Sequence, residues 1–327
     1  MIDRRRWILN AAGLVALPLH APAQQQGTPR IGVLSFGAAP GSPNADPSAG
    51  LREGLQALGY VEGRNLTIEW RYADGRLERL AAAAAELVQM NVAVILAGGP
   101  ASIHSARAAT STIPILAIGG VDPVAEGWAQ SLARPAGNTT GFTVSFAELG
   151  PKRLEILKQA RPGLGRVAVM FEAAQVKSGT SDLLMAGARR LGLDLQMLEV
   201  REPADFEPAL DRARRSGAEA LYAIATNLVV TYRRRLGELA QRERLPSISE
   251  FPLMAEAGFL LSYGADLEAL GRRAATYIDK ILKGVRPGEL PIQRPTEFQL
   301  VVNLQTARAI GITLPAATLE RADRVIP

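Results

Sequence analysis

From residue 31 to about residue 225, short apolar runs rich in Val, Ile and Leu alternate with stretches of helical periodicity. No other feature constrains the fold as much. Ile31-Gly32-Val33-Leu34, Val92–Leu96, Ile115–Ile118, Val167–Met170 and Ala220–Ala225 read as strands buried on both faces. Leu66–Tyr72 and Leu193–Val200 add two more. Between them lie helical stretches: Leu51, Leu55 and Leu58 closed by Gly59, the alanine-rich Leu77–Met90, a short one around His104, then Lys152–Arg161, Leu183–Leu191 and Phe206–Ser216. Strands separated by helices of about 10–15 residues make parallel βαβ units with right-handed crossovers. Two such sets flank Gly137–Gly150, so the expected architecture is α/β with two doubly wound lobes. The last third (strand Gly258–Tyr263, helix Leu267–Leu282, strand Phe298–Val302) has to complete both sheets, which requires the chain to cross between lobes more than once.

The third strand runs into Gly98-Gly99-Pro100. The glycines permit a tight turn, and Pro suits a first helical position. The helix starting there aims unpaired N–H groups and the positive end of its dipole beyond the strand, a place for a carboxylate or other small anion. Ligands of open α/β sheets sit at the carboxyl ends of strands. Those ends carry Ser35, Gly98, Gly99, Asp122, Asn227 and Glu250, with Tyr263 a further candidate. They come from both halves, which places the site in the cleft between lobes. Structural roles compete. The Gly-Gly turn also fits one that merely holds water. Asp122, before Pro123, suits a helix cap as well as a carboxylate that receives an ammonium or hydroxyl group. Glu250 also fits a solvated turn, and Tyr263 a core position beside Phe259 and Leu261.

Cysteine is absent, which excludes thiol catalysis, disulfides and Cys-based zinc sites. Of two histidines, His20 precedes the fold, so a Ser-His-Asp triad would need His104, better read as an ordinary, partly buried helix residue. G-x-x-x-x-G-K-[ST], G-x-G-x-x-G after a strand and G-x-S-x-G are all missing. Neither a catalytic residue, a cofactor nor a metal is expected. Arg4-Arg5-Arg6, the apolar run Trp7–Leu19 and Ala21-Pro22-Ala23 read as a secretory signal, expected to be cleaved after Ala23, with an uncleaved membrane anchor as the competing reading. Arg4-Arg5-Arg6-Trp7-Ile8 resembles a twin-arginine signal but lacks the flanking Ser/Thr and Lys, so Sec and twin-arginine export both stay open. Those first residues hold +2 of the formal +5, leaving about +3. No basic stretch interleaves with aromatics, so nucleic acid is not an expected partner, and Arg233-Arg234-Arg235 reads as a solvated helix face.

A series of segments in one order carries a family resemblance: Gly59–Leu66, Ala109–Ile115, Ser131–Gly141, Lys152–Glu155, Arg273–Leu282, Pro295–Phe298 and Val302–Leu304. Together they resemble the ABC-transporter substrate-binding proteins, a family that includes the tryptophan-binding lipoproteins of Gram-positive bacteria. The resemblance runs from about Arg30 to Ile326. It implies a type I periplasmic-binding-protein fold: two Rossmann-like lobes around a ligand cleft, joined by crossings near Val144, Ser249 and Thr296. The N-terminal lobe would then hold 30–144 and about 250–295, the C-terminal lobe 145–249 and about 296–322. It further implies that Ser35, Gly98, Gly99, Asp122, Thr140, Asn227 and Glu250 occupy the ligand-binding strand ends. Turn amides and hydroxyls would take a carboxylate and an acidic residue an ammonium group.

The expectation is therefore an exported periplasmic monomer that captures a small solute, an amino acid or related carboxylate (aromatic ones included), by hinge closure and hands it to an ABC permease. The lipid anchor of the Gram-positive members is not expected in a chain without Cys. Two alternatives stay open at this stage: an exported enzyme on the same fold using Asp122 and Glu250, and a ligand sensor for a membrane receptor.

Overall fold

A computed structural model describes residues 27–37, 49–119, 122–143, 146–172 and 178–327. The signal segment 1–23, most of the loop after Ser35 and the crossing expected near Val144 lie outside the described residues.

The first lobe opens with β1 (Arg30–Ser35), α1 (Ala49–Ala57), β2 (Thr67–Tyr72), α2 (Leu77–Gln89), β3 (Val94–Gly98), α3 (Pro100–Ala109), β4 (Ile115–Gly119) and β5 (Thr139–Thr143). Among the described residues its sheet runs β2-β1-β3-β4-β5, and every neighbouring pair is parallel. Side chains alternate across it as strand geometry requires. Ile31, Val33, Val94 and Leu96 pack on one face with Leu51 and Leu55 of α1. Leu34, Ile95 and Ala97 pack on the other with Leu80 and Leu87 of α2 and Ile103 of α3.

The second lobe continues with α4 (Phe146–Ala160), β6 (Arg166–Phe171), α5 (Ser178–Leu191), β7 (Asp194–Glu199), α6 (Phe206–Arg215), β8 (Ala220–Ala223), α7 (Asn227–Thr231), α8 (Arg233–Arg242), β9 (Ser247–Ser249), α9 (Pro252–Glu256) and β10 (Leu261–Ala265). The chain then returns to the first lobe as α10 (Leu267–Leu282), which packs on α1. It comes back as β11 (Phe298–Asn303), α11 (Leu304–Ile310), α12 (Ala316–Glu320) and β12 (Arg324–Ile326). Among the described residues the second sheet has the order β12-β11-β10-β9-β8-β6-β7, with only the β10–β11 pair antiparallel.

One expected boundary moves. β9 and β10 pair with each other in the second sheet, so residues 250–265 belong to the second lobe and the crossing placed near Ser249 falls at Ala265–Asp266. The physical reason is local: Leu261 and Ser262 need β9 to complete their hydrogen bonds, and α9 sits on the same sheet through Met254. The sheet also extends beyond the expected end, because β12 pairs with β11.

Candidate ligand cleft

The described residues that flank the crossings are hydrogen-bonded to one another. The Thr143 N–H donates to the Gln293 carbonyl (2.9 Å), and the Asp266 N–H to the Glu297 carbonyl (3.2 Å). Arg294, on the last crossing, pairs with Glu148 of α4 at 3.2 Å. The carboxyl ends of the two sheets face each other across this hinge, and the rims touch. The Asn227 Oδ1 of the second lobe lies 3.5 Å from where a Cβ on Gly99 would stand, and Thr231 Cγ2 3.0 Å from the same point on Gly75.

On the first wall, Gly99 holds φ 83° and ψ 160°, a backbone region open essentially to glycine alone. It turns the chain from β3 into α3, with Pro100 at the first helical position. The Gly99 N–H is spent on the Ile118 carbonyl, and its carbonyl accepts from Ile103. Gly98 is exposed. Ser35 ends β1 in register with Gly98, and its Oγ accepts the Gly37 N–H at 3.2 Å. Asp122 is exposed, and its Oδ1 accepts the N–H groups of Val124 and Ala125 at 3.0 and 3.1 Å. Asp122 thus caps a turn over 123–127 rather than the helix start expected of it.

On the second wall, Thr226 caps α7 through Oγ1 and presents Asn227 half-buried at the rim. Glu250 is different from either expectation. It is neither a solvated turn residue nor a carboxylate left over for a ligand, because it is fully buried and engaged on both oxygens. Oε1 accepts from the Tyr222 hydroxyl (2.8 Å) and stands 3.3 Å from Arg153 Nη1. Oε2 accepts from the Ala225 N–H (2.7 Å) and lies 3.0 Å from Ser249 Oγ. Burial alone disfavours the Arg153 charge, but Tyr222 and Glu250 outweigh it and hold the guanidinium pKa above its ordinary value. Burial likewise pushes the Tyr222 hydroxyl far above the phenol range.

Two further candidates have partners within the fold. Thr140 lies within β5 opposite Leu116, three residues short of the strand end, and its buried hydroxyl donates to the Leu290 carbonyl at 2.7 Å. Thr143 is the residue that ends β5. Tyr263 is half-buried against the Leu261 cluster, its ring stacked on Phe298 at 6.3 Å, while Phe259 packs in the cluster that holds Met254; the core reading holds beside Leu261 and not beside Phe259. His104 is exposed rather than partly buried and reaches Glu126 of the Asp122 turn at 3.2 Å. Of the arginine run, Arg234 and Arg235 are exposed as a solvated face requires, whereas Arg233 is buried and donates to the Val230 carbonyl.

Sequence reading missed Tyr72, which ends β2 in register with Ser35, and Phe171 and Glu172 at the end of β6. The strand-end rule that found Ser35 points to all three. Two hollows of about 320 and 420 Å³ open elsewhere on the second lobe, around Arg161 and Glu219 and around Asp211 and Glu243. The first lies by the amino ends of β6 and β8, the wrong edge for an open-sheet ligand site. Among the described residues no cluster of His, Cys, Asp and Glu forms a metal site, and no helix is long and apolar enough to cross a membrane.

The profile of the family described as ABC transporter substrate binding protein matches residues 31–326. A tyrosine-binding protein of Clostridioides difficile is 25% identical over 264 residues, which is 80% of this chain and 76% of that one. A conserved domain protein of Vibrio cholerae superposes with a TM-score of 0.81 at 26% identity, over 91% of this chain and all of that one. A Streptococcus pneumoniae ABC domain in complex with L-Trp gives a TM-score of 0.80 at 21% identity, over 92% of this chain and 100% of its own.

Proposed function

The chain belongs to the ABC transporter substrate-binding protein family, and from that premise we propose that it captures an amino-acid-like carboxylate between its lobes and carries it, without chemical change, to an ABC permease. One observation carries this reading: the two walls meet at Gly99 and Asn227, strand-end positions of opposite lobes. A ligand held there is touched by both lobes and so stabilises their closed arrangement, which is the form a permease can distinguish from the empty one.

We assign the ligand carboxylate to the amino end of α3, where the first-turn N–H groups and the helix dipole favour an anion. Ser35 and Gly98 stand beside it in register, Asn227 supplies a side-chain amide from the other wall, and Asp122 is the acidic group for an ammonium. Glu250 has no part in ligand contact on this reading, and neither do Thr140 and Tyr263. The relatives named for tyrosine and found with L-Trp make aromatic amino acids the first probes. The protein acts as a periplasmic monomer after export, and nucleic acid is not a partner.

Isothermal titration of the purified protein with L-tyrosine and L-tryptophan tests the reading, with the recovered ligand weighed by mass spectrometry. Binding of either, with the ligand recovered unchanged, is the expected result. Conversion of the ligand transfers the site to an enzyme, and indifference to both overturns the aromatic assignment.

A further inference from the structure

Among the described residues of the second lobe Arg153 and Glu250 are the most deeply buried opposite charges, both closed off from solvent. Arg153 reaches in two directions. Its Nε donates to the Tyr263 carbonyl (2.7 Å) on the strand that becomes the second crossing, and its Nη1 donates to the Tyr222 hydroxyl (3.1 Å) and faces Glu250. Glu250 holds the other end, accepting the N–H of Ala225 two residues before Asn227. β10, just before the crossing, passes so close to Glu250 that a Cβ on Gly264 would stand 1.9 Å from its carbonyl oxygen. Thr143 at the end of β5 and Asp266 on the second crossing are both tied to the third crossing, through Gln293 and Glu297, and Arg153 is carried on α4. Phe298, the first residue after the third, stacks on Tyr263.

We propose that Arg153 and Glu250 are positioning residues that lock the second crossing to the Ala225–Asn227 turn, so that hinge movement and the placement of Asn227 in the cleft are one motion. A buried carboxylate and guanidinium with this many partners have one low-energy arrangement, because any other leaves a desolvated charge unpaired. Tyr222 is the bridge: it accepts from Arg153 and donates to Glu250, which fixes its single proton. The consequence for ligand capture rests on the binding reading above, while the mechanical coupling does not.

Amide hydrogen exchange on the ligand-free protein separates this role from plain stabilisation. Tyr222→Phe removes only the bridging hydroxyl, Glu250→Gln removes the charge, and Ala213→Gly, in the separate cluster of α6, opens a core gap as a control. Exchange is expected to rise about tenfold in both hinge variants at Ala225–Asn227 and at Gly264–Asp266 together, with Val167–Met170 unchanged. The control is expected to leave those two segments alone. A uniform rise across the second lobe, a rise in only one of the two segments, or no rise overturns the proposal. Titration of the same variants with L-tyrosine reads the consequence separately: failure of the unmodified protein to bind counts against the ligand assignment, and the exchange result still decides the coupling.

Discussion

A carboxylate can serve a ligand only with lone pairs the fold has not already used, and the strand-end acids differ on this point. Glu250 accepts on both oxygens from inside the protein, whereas Asp122 is exposed and caps its turn through Oδ1. Glu250→Ala should therefore act on stability first. Leaving Arg153 buried and unpaired is expected to cost about 3–5 kcal/mol in urea denaturation of the second lobe. Asp122→Ala should cost only about 1 kcal/mol for the lost turn bonds, while L-tyrosine affinity in titration falls about tenfold, by about 1.4 kcal/mol. Gly99→Ala combines both effects, because a side chain at φ 83° and ψ 160° is strained by about 1–3 kcal/mol and tilts the amino end of α3. Weakened binding with a lowered unfolding midpoint is the expected pair of readings.

At the scale of elements, what matters is how each strand end is handed to the next piece of chain. Asp266 leaves β10 and at once caps α10, accepting the Glu268 and Ala269 N–H groups through Oδ1. The crossing thus ends in a fixed helix start rather than a slack linker. Asp266→Ala is expected to destabilise α10 by about 0.5–2 kcal/mol, seen as faster amide exchange in its first turn. Thr140 shows the opposite case of a hydroxyl that serves its own lobe. Thr140→Val should cost about 0.5–1.5 kcal/mol through the lost bond to Leu290 and leave ligand affinity unchanged; a loss of affinity would return Thr140 to the site.

For the whole molecule the decisive feature is that the rims touch with the cleft between them, at Gly99–Asn227 and Gly75–Thr231. Closure is then limited by side-chain bulk at the rim. Thr231→Trp is expected to prop the lobes apart: small-angle scattering should show no contraction when L-tyrosine is added, and affinity should fall because the closed form is less populated. In the unaltered protein, ligand at a hundred times its dissociation constant is expected to stabilise the bound form by about 2.7 kcal/mol, read as a raised melting temperature.

Local periodicity and turn chemistry determined much of this protein directly. The buried runs Ile31–Leu34, Val94–Ala97 and Val167–Met170 have no polar face to expose, so they had to be inner strands, and Gly98-Gly99-Pro100 had to turn into a helix. Two lobes and a cleft at the strand ends follow from that alternation. Tertiary structure decided the rest, because it depends on partners far away in sequence. Glu250 reads as a turn residue until Arg153, Tyr222 and Ala225, between 25 and 97 positions away, are folded around it. The second crossing lies beyond β10 rather than beyond β9 because Leu261 and Ser262 complete their hydrogen bonds against β9, a pairing between strands that no periodicity within either one encodes.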